Sequence, residues 1–167
     1  MAQNSKNSSP NSKAMCTVFW GGLIAGILDG IAACSVFYLK LHLRPAQVMQ
    51  YIASAIYGPE AFTGGYNMVT IGIILHFLIS FALAAVYFWI YPYFKMLANW
   101  PRLSGLGFGL ALWLVINLLV LPQTQIASVP FELSAALVSV IWHMILVGLP
   151  IAMITKSHFD RKLRYDV

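Results

Sequence analysis

The sequence predicts an all-α integral membrane protein, a four-helix bundle with a short interfacial helix in its first outside loop. Three observations predict it. Only 9% of the residues are charged and 60% are hydrophobic, against about 25% charged in an ordinary soluble domain. The few charges are clustered, so that Glu60 and Lys95, Arg102 and Glu132, and Glu132 and Lys156 each bound a charge-free stretch. Lys13 and Lys40 bound a fourth, broken only by Asp29. Each stretch is at least as long as the roughly 20 apolar residues that cross a hydrocarbon core.

In chain order, residues 1–14 are Asn, Ser and Lys with one Pro, a composition that predicts a disordered cytoplasmic tail. A transmembrane domain follows over 15–156, with spans at about 17–39, 68–92, 104–121 and 132–154. The first span carries Gly22, Gly26 and Gly30, and the third Gly105 and Gly109. Glycines four apart let two helices approach closely in lipid. They predict packing inside the bundle, with a homodimer contact as the alternative.

The longest outside loop, about 41–67, holds Pro45 as the first residue of a short helix. Val48, Ile52, Ala55 and Ile56 line one face of it, and Gln47, Gln50 and Ser54 the other. That amphipathic pattern suits a helix lying in the membrane interface. Tyr91, Tyr93 and Trp100 in the next loop fit an aromatic belt. Pro150 should kink the fourth span and free the carbonyl of Leu146. Residues 157–167 form a basic tail.

Basic residues set the orientation. With the N-terminus cytoplasmic, the inside holds Lys6, Lys13, Lys95, Arg102, Lys156, Arg161, Lys162 and Arg164, and the outside only Lys40 and Arg44. The bias predicts both termini in the cytoplasm. The positive charge is a topology signal with affinity for anionic lipid heads, not a nucleic-acid surface, because no basic stripe alternates with aromatics.

Asp29, His76, Asn117 and His143 place one strongly polar group in each span. At about 1.5 Å per residue, Asp29, His76 and His143 all fall about 13–17 Å below the outer helix ends, near the midplane. Ser80 shares a stripe with His76, and Ser139 one with His143. A carboxylate at the bilayer centre is costly, by about 3 kcal/mol on insertion scales, and calls for a partner. The expectation is a buried polar centre of Asp29, His76 and His143, with Asn117, Ser80 and Ser139 around it. It would serve a proton-linked or small-solute path.

Two other classes compete. One is a non-catalytic accessory or structural membrane protein that packs through its glycine faces. The other is a b-type haem or metal protein, with His76 and His143 as axial ligands or with Asp29 in a two-His, one-carboxylate set. No nucleophile motif and no phosphate-binding loop is present, so no catalysis and no resident cofactor are expected. Gln123, Thr124, Gln125 and Glu132 cluster at the outer ends of the third and fourth spans, as a solvated loop or a polar vestibule.

Short motifs add a resemblance. They are Gly22-Leu-Ile-Ala-Gly26, Tyr51-Ile-Ala-Ser54, Gly58-Pro-Glu-Ala-Phe62-Thr-Gly-Gly65, His76-Phe77, Ser80, Tyr87, Pro92, Gly105, Gly109, Pro122 and Trp142-His143. Over about residues 20–155 the chain resembles the uncharacterised bacterial inner-membrane proteins typified by YagU. The resemblance implies a helical inner-membrane protein and carries no activity, substrate or cofactor with it.

Overall fold

The computed structural model describes residues 10–126 and 132–165. The part of the expected tail before position 10, the middle of the last loop and the final two residues lie outside the described residues. The described chain is all helix and turn. Helix α1 (Pro10–Leu41) is followed by the short α2 (Pro45–Tyr57), then α3 (Gly65–Ile90) and a single turn, α4 (Lys95–Asn99). Helix α5 (Pro101–Leu114) continues through a π-helical turn at Val115–Val120. The last span joins α6 (Leu133–Trp142) to α7 (Leu149–Tyr165) through a π-helical turn at His143–Gly148.

Among the described residues four helices are long and apolar enough to cross a membrane, at Asn11–Leu41, Gly65–Tyr93, Pro101–Gln123 and Leu133–Arg161. At most 22% of any span's apolar window is buried, so most of its side chains can satisfy themselves only against lipid. Four spans bring both termini to one end of the bundle, the terminal end, and leave α2 at the other.

The boundaries have local causes. Helix α1 closes with His42 at φ 54°, a left-handed residue, where the Leu43 N–H reaches the Phe37 carbonyl at 3.4 Å. That is a Schellman-type ending with histidine in the place glycine usually takes. Pro45 then opens α2. Gly58 ends it at φ +59°, where a Cβ would also crowd the Gln125 side chain.

The two π-helical turns each end two residues before a proline, Pro122 and Pro150. Proline cannot donate to the carbonyl four residues back and its ring pushes against it. A widened turn just upstream accommodates both problems without breaking the span. The expected disturbance at Pro150 therefore takes the form of a local π turn.

Glycine decides which spans touch. In α1, Gly22 lies on Phe81 of α3, and Gly26 on Phe77 and Ser80. In α5, Gly105 and Gly109 meet the backbone of Gly148 and of His143–Met144, so closely that a Cβ at any of the three glycines would collide. The spans thus form two tight pairs, α1 with α3 and α5 with α6–α7, joined where α1 packs on α7.

At the terminal end all four converge. Tyr87, fully buried, bonds Ser104 of α5 at 2.9 Å and packs edge-on to Phe108. Ala25, Ala84, Leu112, Val147, Ile151 and Ala152 fill the space around it. A second, smaller core lies at the opposite end, where Val48, Ala53 and Ser54 of α2 are buried. There Gly72 of α3 lets the Met49 backbone settle directly on it.

Candidate functional site

The three ionisable groups predicted to share a centre do not form one. Among the described residues no Asp, Glu, Lys, Arg or His is buried. Among the described residues no group of three or more His, Cys, Asp or Glu is placed to hold a metal ion either. Both the buried Asp/His centre and the metal set built on Asp29, His76 and His143 are overturned.

The polar side chains divide between two places, His76 with Ser80 in one and Asp29 with His143 in the other. The His76 Nε2–H donates to the Gly26 carbonyl of α1 at 2.8 Å, and the Ser80 hydroxyl returns to the His76 carbonyl at 2.9 Å. Asp29 instead accepts the indole N–H of Trp142 at 3.0 Å. His143 Nε2 stands 3.7 Å from the same carboxylate, with the two side chains 15% and 21% exposed. The His143 Nδ1–H is held by the Ser139 carbonyl at 2.7 Å. The Ser139 hydroxyl accepts from Trp113 at 2.9 Å, and Asn117 donates to its own helix, at the Trp113 carbonyl.

The reason is angular. At about 100° per residue, Asp29 is turned about 60° from Gly26 and about 100° from Gly30. Gly26 and Gly30 face α3, which brings His76 to them. Asp29 therefore faces the fourth span. Equal depth did not mean an equal face, and the same turn sets the two histidines against different sides of α1, removing the facing pair that a bis-histidine haem needs.

The polar cluster at the α2 end is a clasp. The Gln125 side chain donates to the Ile56 carbonyl at 2.7 Å and its backbone N–H to Ala55 at 3.1 Å, tying the third span to the end of α2. Lys40, at the end of α1, bonds Glu132 and Ser134 at 3.1 Å each and ties the first span to the fourth. Hydrogen bonds from Ser134 and then Lys40 hold the Glu132 carboxyl below the usual carboxylate range.

A groove with room for a ligand lies between α1 and α3, toward the α2 end. It measures 540 Å³ and is lined by Gly26, Gly30, Cys34, Ala46, Met49 and Ile73 among others. This volume is within the about 300–1,000 Å³ of small-molecule sites. The glycines of α1 leave its floor low, Ile73 forms a wall, and the first turn of α2 with Met49 makes the roof. His76 stands at its edge with Nε2 committed to Gly26, so the lining presents mostly apolar surface. A smaller depression, lined by Val138, Ile141, Trp142, Ile145 and Leu146, belongs to one span and has no opposite wall.

No family model, no curated protein and no solved structure matches the chain.

The glycine stripe and the start of α2 were each legible in the sequence, but their juxtaposition was not. Ala46, Met49 and Ile73 carry no chemical signature. Trp142 was also missed as the partner of Asp29. An indole beside a histidine, at the depth of a lone carboxylate, was the available signal.

Proposed function

We propose that this chain is a non-enzymatic protein of a bacterial inner (plasma) membrane, with both termini cytoplasmic, that holds an apolar chain from the bilayer in the groove between α1 and α3. The groove's shape and lining carry this reading. A mostly apolar cleft open sideways at hydrocarbon depth offers water few hydrogen-bonding partners, whereas a hydrocarbon chain matches it in polarity. The excess of Lys and Arg in segments at the terminal end supports the orientation. The likeness to YagU-type proteins supports the compartment.

The test is photo-crosslinking with lipids carrying a diazirine in the acyl chain, using full-length protein in vesicles and mapping the adducts. Adducts concentrated on Cys34, Met49 and Ile73, and depleted by Ala46→Trp, are expected. Adducts spread evenly over outward-facing residues such as Leu118, Leu119 and Leu137, unchanged by Ala46→Trp, would refute the groove.

A further inference from the structure

We infer that the molecule held in the groove is a phospholipid of net negative charge, its phosphate gripped by Arg44; this rests on the reading of the groove as a chain-binding cleft. Arg44 immediately precedes Pro45 and Ala46, which line the roof of the cleft. It lies three residues beyond the end of the first span, Leu41, and is exposed. That is head-group level for a chain lying in the groove below.

The charges around it are already engaged, and Arg44 is not. Among the described residues its guanidinium has no hydrogen bond and no ion pair with any side chain. Its backbone N–H is taken by the Gln47 side chain at 2.9 Å, so that glutamine is turned to the main chain. The other cation of this region, Lys40, is held by Glu132 and Ser134. His42 packs edge-on against Tyr38.

A guanidinium presents donors in a planar fork that suits two phosphate oxygens, and its stem can lie along apolar surface while the head stays at the interface. The same arrangement argues against a zwitterionic head. The segment from Leu41 to Tyr57 carries no Asp or Glu, so beside Arg44 the ammonium of such a lipid would meet a like charge and no neighbouring carboxylate. Positive charge above an apolar cleft therefore complements a chain below and an uncompensated phosphate above.

The experiment is retention of lipid by the full-length protein in mild detergent, read by native mass spectrometry after exchange into phosphatidylglycerol or phosphatidylethanolamine. The wild type should keep phosphatidylglycerol about fivefold more strongly, as one well-placed cation provides. Arg44→Gln should abolish that preference while the acyl-chain adducts on Met49 and Ile73 persist, and Arg44→Lys should restore part of it. Equal retention of the two lipids by the wild type, or a preference that survives Arg44→Gln, overturns the inference and leaves the groove standing. Loss of the adducts from wild type itself overturns the groove. A thermal melt of Arg44→Gln matching wild type shows that a lost preference is not a lost fold.

Discussion

The two ends of the bundle are built differently, although the same four spans run through both. Toward the terminal end the helices interlock around Tyr87, Leu112 and Ile151. Toward the α2 end the adjoining parts of the third and fourth spans, Val115–Val120 and Leu133–Trp142, contain no buried residue among those described. Side-chain size accounts for the difference. Gly22, Gly26, Gly105, Gly109 and Gly148 lie at the middle or toward the terminal end and let backbones touch. Beyond them come Ile31, Tyr38, Leu118, Leu119 and Leu137, all exposed, and helices surfaced by bulky side chains stay apart in lipid. The packed end therefore holds the fold together, and the looser end leaves the cleft that α2 roofs.

The contrast can be broken most directly at Gly148. A leucine there would drive its Cβ into the backbone of Gly105 and Gly109. Gly148→Leu should cost about 3 kcal/mol or more, read as a lowered unfolding midpoint in a detergent titration. Gly107→Leu is the matched control, because a Cβ at Gly107 meets nothing within 4 Å, and it should unfold like wild type.

Gly72→Leu tests the other end. It should push α2 off α3 and cost about 1–3 kcal/mol, with Val48→Cys in the same chain becoming reactive to a water-soluble maleimide. If Val48→Cys stays protected, α2 is held by something other than the Gly72 contact. A finer probe of the packed end is Tyr87→Phe, which removes the bond to Ser104 and leaves the ring in place. About 1 kcal/mol should be lost, again in the unfolding midpoint, and a double change with Ser104→Ala should add little further.

The smallest effect concerns Lys40 and Glu132. Because the folded carboxyl titrates below its ordinary value, the clasp contributes fully above the unfolded value of about 4.3. Its contribution is lost as pH falls through the lower, folded value. Spin labels at Ser35→Cys and Leu137→Cys, with the native cysteines replaced, should move apart in acid. That movement should disappear in Glu132→Gln and shrink in high salt, as exposed ion pairs do.

Much of the fold was legible in the sequence because the bilayer imposes one-dimensional constraints. Charge-free stretches longer than the hydrocarbon core must be spans, and a proline-led amphipathic segment between two of them must find an interface. Of the glycines spaced four apart, Gly22, Gly26, Gly105 and Gly109 lie where a Cβ would crowd the facing helix, whereas Gly30 borders the groove. What the sequence misjudged was the company of its polar residues. Depth follows from counting residues, and Asp29, His76 and His143 count to similar depths. Company depends on azimuth and on which helix stands beside which, and neither is written in a single span's pattern. Rotation by one residue turns a side chain about 100°, enough to send Asp29 to Trp142 and leave His76 on the Gly26 carbonyl. By itself the sequence determined that this chain crosses a membrane four times. The tertiary structure decided that His76 stands apart from Asp29 and His143 and that the groove between α1 and α3 is mostly apolar, because the order of the helices and their rotation come only from how all four spans pack.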